Sequence, residues 1–115
     1  MKCDQEFVDN LVRVVKQNYT NPNFDVCSMA AEMNISDRQL QRKVKALTGQ
    51  SPMQYLRQFR LEKSVQYLRE DVPVGEVAKA VGFSSHAYFT SCFRARFGVT
   101  PNRMQLSQQS ATMAE

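Results

Sequence analysis

An internal repeat limits the possible fold of this chain more than any other feature of its sequence. Each copy spans about twenty residues, and small, apolar and turn residues recur in the same order in both. The first copy contains Ala30, Met33, Asn34, Ile35, Ser36, Leu40, Val44, Gly49, Ser51 and Pro52. The second contains Ala78, Val81, Gly82, Phe83, Ser84, Phe89, Phe93, Gly98, Thr100 and Pro101. The repeat therefore predicts two similar units of helix, tight turn and helix.

Hydrophobic spacing and turn residues predict an all-α fold of about seven helices. The predicted helices run from Glu6 to Asn18, Asp25 to Met33, Ser36 to Gly49, Pro52 to about Arg69, Val74 to Val81, Ser85 to Phe97, and onward from Thr100 and Pro101. We expect a homeodomain-like arrangement, in which helix-turn-helix subdomains at residues 1–50 and 71–106 are joined by a long linker helix at residues 51–70. Residues 107–115 are predicted to form a flexible tail.

The composition is that of a small folded domain, and it argues against several classes of protein. The 115 residues are 43% hydrophobic and 23% charged. Three separate cysteines and one histidine do not suggest a disulfide framework, a metal site, a cofactor or a catalytic centre. Cys27 and Cys92 are expected to be small core residues in a reducing compartment. With no apolar run long enough to cross a membrane and no leader, a cytoplasmic protein that is not an enzyme is predicted.

Basic charge is concentrated in the middle of the chain. The net charge is +4, and between Arg38 and Arg69 there are eight basic residues against one acidic residue. The first 37 residues, by contrast, contain six acidic and three basic residues. The middle segment is therefore where a polyanion would bind.

The third predicted helix carries the residues that are best suited to reading bases. If Leu40, Val44 and Leu47 face the core, the opposite side presents Arg38, Gln41, Arg42 and Lys45. Arginine can bond guanine with two hydrogen bonds, glutamine can do the same with adenine, and lysine can hold a phosphate. Because a short helix and a tight turn precede this polar face, it predicts binding in the DNA major groove rather than a merely solvated surface.

The corresponding helix of the second copy is less basic. With Phe89, Phe93 and Phe97 inward, its outer residues are Ala87, Ser91 and Arg94, with His86 and Thr90 beside its first turn. Only Arg94 carries a full charge, so this helix is expected to discriminate bases weakly and to contact mainly the backbone. For His86, a contact to DNA and an incidental exposed position both stay open.

Four further residues are candidates for phosphate contacts. Ser51 and Thr100 begin helices just beyond the two exposed helices, where free amides could hold a phosphate, although simple helix capping explains them equally well. Arg57 and Arg60 on the long helix are either phosphate contacts or solvated charges.

These residues together resemble the DNA-binding domain of AraC/XylS-type transcription regulators. The resemblance covers about Phe24 to Met104. In the first unit it rests on the segments from Met29 to Ser36, Leu40 to Lys45 and Thr48 to Pro52, and in the linker on Tyr55-Leu56 and Arg60-Leu61-Glu62-Lys63. In the second unit it rests on Val77-Ala78, Val81 to Ser84, Tyr88-Phe89 and Phe93 to Pro101.

The resemblance implies two helix-turn-helix subdomains that insert their exposed helices into successive major grooves of double-stranded DNA. By position, Arg38, Gln41 and Arg42 would read bases in the first site, and the second site would contain His86, Ala87, Thr90 and Ser91. It also implies a longer regulator with a separate sensing domain, and the chain is similar in style to the output domains of hybrid two-component regulators.

Sequence-specific DNA binding in transcription regulation is therefore the leading hypothesis. The alternative is a helical protein-interaction module. In that case the apolar surface of the first helix, with Met29, Met33 or Met53, would dock an RNA polymerase subunit or a sensor domain.

Overall fold

The computed structural model describes the backbone of residues 2–113 and the side chains of residues 4–107. Across this part of the chain it contains seven helices and no strand, which confirms the predicted all-α fold. The helices are α1 (Lys2–Asn18), α2 (Val26–Glu32), α3 (Asp37–Thr48), α4 (Pro52–Arg69), α5 (Val74–Ala80), α6 (His86–Phe97) and α7 (Pro101–Met113).

The chain divides into two compact units, and the division falls inside α4. The first unit ends at Phe59 and the second begins at Arg60. The predicted division instead separated residues 51–70 as a linker from two subdomains. The reason for the difference is that α4 buries Leu56 in the core of the first unit, whereas Leu61 and Leu68 are buried in the second.

The first unit is built from α1, α2, α3 and the first part of α4. Its buried core joins residues of all four elements: Leu11, Val14, Val15, Phe24, Met29, Ala30, Met33, Leu40, Val44 and Leu56. Tyr19 and Phe59 meet edge to face, with ring centroids 5.3 Å apart. Within this core Leu40 and Val44 are fully buried, so α3 is held in place by its inner face.

The second unit repeats this plan with aromatic residues in the core. Phe83, Phe89 and Phe93 are buried, and consecutive rings along this series lie 5.1 and 5.7 Å apart. The α7 helix is tied to the end of α4, since the side-chain amide of Gln105 donates to the backbone oxygens of Leu68 and Val72. The inner face of α6 is therefore held by ring packing.

The turn between α2 and α3 follows directly from its local sequence. Asp25 caps α2 by accepting the backbone N–H of Ser28 at 2.9 Å, and this hydrogen bond is the main reason why the pKa of Asp25 lies below its ordinary value. Asn34 takes a positive φ of 58°, a conformation that asparagine tolerates better than most residues. Gly49, at φ 76°, ends α3.

Two local expectations, on Leu47 and Cys27, were wrong. Leu47, in the last turn of α3 beyond the buried stripe, is 39% exposed rather than part of the core. Cys27 is exposed near the start of α2, where the nearby Asp37 carboxylate raises the pKa of its thiol. The last helix continues to Met113, and the predicted flexibility of residues 107–115 stays a prediction. Residues 114–115 lie outside the described part.

A pair of glycine substitutions tests the turn after α3. A Cβ added at Gly49 or at Gly75 would meet nothing within 4 Å, so the two positions differ in backbone conformation and not in available space. Gly49→Ala forces an alanine into the left-handed region, and we expect it to lower the free energy of unfolding by about 1 to 2 kcal/mol. Gly75→Ala, inside α5, should raise it by about 0.4 to 1 kcal/mol. Urea denaturation followed by circular dichroism measures both, and equal effects at the two sites would contradict the explanation.

Candidate nucleic-acid interface

The exposed helix of the first unit, α3, begins with a reciprocal capping box. The Ser36 hydroxyl accepts the backbone N–H of Gln39 at 3.1 Å, and the Gln39 side chain accepts the backbone N–H of Ser36 at 3.2 Å. This cap fixes the first turn of α3, which in helix-turn-helix proteins is the part that contacts base edges.

Four predicted site residues occupy one exposed side of α3. Arg38, Gln41, Arg42 and Lys45 follow the spacing i, i+3, i+4 and i+7, and each of them is exposed. In the part of the chain that the structure describes, the side chains of Arg38, Gln41 and Arg42 make no hydrogen bond or ion pair. They are therefore available to a ligand. We call this set of four residues the α3 face.

Lys45 is the member of the α3 face that also has a structural role. Its ammonium donates to the backbone oxygen of Gly49 at 3.0 Å, across the turn that ends the helix. The neighbouring Lys43 lies with its ammonium 5.3 Å from the centre of the Phe7 ring on α1, at the edge of the helix. Arg38, Gln41 and Arg42 are therefore the side chains with most freedom to reach bases.

The matching positions of α6 form a second exposed surface with different chemistry. Ala87, Thr90, Ser91 and Arg94 stand 49 residues after the members of the α3 face, and we call them the α6 face. Ala87, Ser91 and Arg94 are exposed, and Thr90 is half-buried. The α6 face contains one basic residue and the α3 face contains three, so equivalent positions of the two exposed helices differ in charge.

His86 and Thr90 also line a cavity of about 360 Å³ in the second unit. Its other walls are Val74 at the start of α5 and Thr100, Pro101 and Asn102 at the start of α7. The sequence predicted His86, Thr90 and Thr100 as separate candidates, and the structure brings them together. Asn102 was not predicted. The signal that could have found it was its position in the first turn of the helix that follows Thr100.

Ser51 and Thr100 act as helix caps in this structure. The Ser51 hydroxyl accepts the backbone N–H of Gln54 at 3.2 Å, and the Thr100 hydroxyl accepts that of Arg103 at 3.2 Å. The capping interpretation is therefore confirmed for both residues. Each hydroxyl keeps one O–H that it can donate to a phosphate, so the predicted contact stays a prediction.

Arg60 does not lie where a surface phosphate contact requires it. Arg60 is 6% exposed, and burial lowers the pKa of its guanidinium, an effect that the Tyr88 phenol partly opposes. Neither a surface phosphate contact nor a solvated charge, the two interpretations left open for Arg60, fits this burial, because a duplex cannot reach a buried guanidinium without rearrangement. Arg57, on the same helix, is half-buried and already interacts with another group of the protein.

Burial also removes most of the docking surface in the alternative hypothesis. Met29 is fully buried and Met33 is 7% exposed, and Leu11 and Val14 of α1 contribute to the same core. Of the three methionines considered, only Met53 is exposed, at 38%.

The chain is similar to known proteins in both sequence and fold. A family model described as a helix-turn-helix domain matches residues 29–107. The HTH-type transcriptional activator RhaR of Pectobacterium atrosepticum is 34% identical over 101 residues, which are 87% of this chain and 35% of RhaR. The chain spans between 8% and 35% of the length of the first three curated relatives that it matches.

Two solved structures have the same fold. A transcriptional regulator of Chromobacterium violaceum, described as having an AraC-type DNA-binding domain, matches with a TM-score of 0.83 and 26% identity over 94% of this chain and 96% of that one. The DNA-binding domain of AdpA, a global transcriptional factor solved in complex with a target DNA, matches with a TM-score of 0.81 and 29% identity. The match covers 89% of this chain and 95% of the AdpA domain. No helix in the described residues is both long enough and apolar enough to cross a membrane.

Proposed function

Because the chain belongs to the AraC-type helix-turn-helix family of DNA-binding transcription regulators, we propose that it binds double-stranded DNA sequence-specifically through α3 and α6. The observation that carries this proposal is the α3 face. It presents Arg38, Gln41 and Arg42 on a capped helix with no competing partner among the described residues. The α3 side chains would read bases in one major groove, and α6 would enter the next groove along the duplex.

The two helices have unequal roles in this proposal. Arginine and glutamine on the α3 face can each form paired hydrogen bonds with one purine, which is the strongest form of direct readout. The α6 face offers two hydroxyls and one arginine, and these suit contacts to the sugar-phosphate backbone. Most sequence preference should therefore come from the half-site that α3 contacts.

Selection of bound duplexes from a random library tests the proposal directly. We expect a conserved half-site for α3, with guanine and adenine at its strongest positions, and a weaker second half-site about one helical turn away. Two equally informative half-sites would contradict the unequal roles. Recovery of no preferred sequence at all would contradict sequence-specific binding.

Arg57 is proposed to contact a backbone phosphate. Arg57→Ala should weaken binding to all duplexes to a similar extent, and it should lower the slope of log affinity against log salt by about one. The slope is measured by titrating one specific and one unrelated duplex at several salt concentrations.

Arg13→Ala provides the matched control for Arg57→Ala. It removes the same charge from an exposed position on α1, where the hydrogen bonds of Arg13 to described residues go to neighbours on its own helix. The phosphate contact would be excluded if Arg57→Ala changed the preferred sequence. It would also be excluded if the salt slopes of Arg57→Ala and Arg13→Ala were the same.

Docking of an RNA polymerase subunit remains the alternative. The exposed Leu47 and Met53 support it, since both are apolar residues of the first unit outside the α3 face. Polymerase binding that survives Arg42→Ala but is lost in the double variant Leu47→Ser, Met53→Ser would favour docking. Unchanged binding of the double variant would exclude this surface.

A further inference from the structure

The side chain of Gln105 on α7 joins two parts of the second unit that are far apart in the sequence. Its Nε2 donates to the backbone oxygen of Val72 at 2.7 Å and to that of Leu68 at 3.3 Å. These acceptors lie 33 and 37 residues before Gln105. A side-chain amide has two N–H groups, so it can serve both carbonyls. Gln105 therefore ties α7 to the end of α4 and to the turn that follows it.

The turn after α4 is held only loosely by its own backbone. Asp71 takes a positive φ of 61°, which is uncommon for a residue with a side chain. The backbone hydrogen bonds from Asp71 to Leu68 and from Val72 to Tyr67 are both 3.3 Å long, beyond the usual range for N–H donors. The 2.7 Å bond from Gln105 to Val72 is shorter than either, so it contributes much of the restraint on this turn.

This turn and α7 lie next to the start of α6, the end of the helix that would contact DNA first. Both α5 and α7 pack against α6. Val74, two residues after Val72, lines the same cavity as His86 of α6. Pro101 of α7 lines this cavity too and is buried, and it stands one helical turn before Gln105 on the same side of α7. Gln105 therefore connects the two elements that flank the start of α6.

We propose that Gln105 is a positioning residue for DNA binding, which holds α6 in the orientation that places the α6 face in its groove. Gln105 acts through α7 and the turn after α4, and it does not itself contact the duplex. A helix that is already held in its bound orientation loses less conformational freedom on binding, so more of its contact free energy appears as affinity. This step rests on the proposed function, in which α6 enters a major groove.

The proposal separates the two half-sites. Leu40 and Val44 hold α3 in the core of the first unit, whereas Gln105 and both of its acceptors belong to the second unit. Loss of the tie should therefore weaken the contacts that α6 makes and leave those of α3 unchanged.

Two substitutions of similar size remove the donors of Gln105. Gln105→Glu places a carboxylate, which only accepts hydrogen bonds, beside two carbonyl oxygens. Gln105→Met also lacks a donor but brings no charge. Gln105→Lys should restore the tie, because an ammonium can donate to several acceptors and is favourable near the last carbonyls of a helix. Ser107→Glu is the matched control, since it adds the same negative charge as Gln105→Glu at an exposed position of α7.

Hydroxyl-radical footprinting of the selected duplex measures the contacts of each helix separately, since the two half-sites lie about one helical turn apart. We expect Gln105→Glu and Gln105→Met to lose most of the protection at the α6 half-site and to keep that at the α3 half-site. Their affinity for this duplex should fall on the order of tenfold. Gln105→Lys should restore the protection, and Ser107→Glu should leave both half-sites protected. Circular dichroism at the same temperature shows whether each variant is folded.

The contrary outcomes are distinct. Full protection of the α6 half-site by folded Gln105→Glu and Gln105→Met, equal losses at both half-sites, or no recovery in Gln105→Lys would refute the positioning role while the proposed function stood. Unfolding of both donor-free variants would also refute it, because Gln105 would then be required for the fold itself. Absence of protection by the wild-type chain at either half-site would refute the proposed function, and a wild-type footprint at the α3 half-site alone would refute the role of α6 in it.

Discussion

Arg42→Ala is expected to weaken binding to the selected duplex by about 1 to 3 kcal/mol and to relax the base preference at one position of the α3 half-site. The physical reason is that an arginine which bonds two acceptors of one guanine discriminates that base from the other three. Arg42 is exposed on α3 and makes no hydrogen bond or ion pair with the residues that the structure describes. Its side chain is therefore free to make these two bonds.

Two further variants separate base reading from charge. Arg42→Lys keeps the positive charge but loses the planar pair of donors, so it should lose most of the base preference while keeping much of the non-specific affinity. Arg13→Ala removes the same charge from α1 and should leave the preference unchanged. Titration of four duplexes that differ at one base pair gives the preference of each variant. A loss in Arg42→Ala that is equal for all four duplexes would make Arg42 a phosphate contact.

Phe89→Ala is expected to lower the free energy of unfolding by about 3 to 5 kcal/mol, the range for a phenylalanine removed from a core. Phe89 is 0% exposed, and its ring lies 5.1 Å from that of Phe83 and 5.7 Å from that of Phe93. Truncation removes the middle ring of this series and leaves a cavity behind α6. Because domains are typically stable by only about 5 to 15 kcal/mol, this loss is a large part of the total.

Leu106→Ala is the control for Phe89→Ala. It also removes a large apolar side chain from the second unit, but Leu106 is 58% exposed, so its loss should change stability by no more than about 0.5 kcal/mol. Chemical denaturation followed by far-ultraviolet circular dichroism measures both variants. A loss below about 1 kcal/mol for Phe89→Ala would mean that the ring series does not carry the core of the second unit.

Local features of the fold were predictable from short stretches of sequence. Asp25 and Ser36 cap helices because their side chains reach backbone N–H groups only three residues ahead. Gly49 ends α3 because glycine takes a positive φ without steric cost. Since such interactions span a few residues, residue type and spacing suffice to predict them.

Features that depend on the packing of several helices were predicted less well from the sequence. The 3.6-residue period placed Leu47 inside, but the period gives only a direction around the helix and not the point along it where the core ends. The pattern also left open whether Arg60 was solvated, because a charged residue is usually at the surface. Its burial depends on tertiary packing, which the helical period does not give.

The sequence by itself determined the seven helices, their caps and turns, the repeat, and the unequal charge of the two exposed helices, because each depends on residues near one another in the chain. The tertiary structure decided which apolar and charged side chains are buried. It also decided that His86, Thr90, Thr100 and Asn102 line one cavity. His86 and Thr90 lie on α6, Asn102 lies on α7 and Thr100 immediately precedes α7, so the packing of α6 and α7 in the second unit brings these residues together.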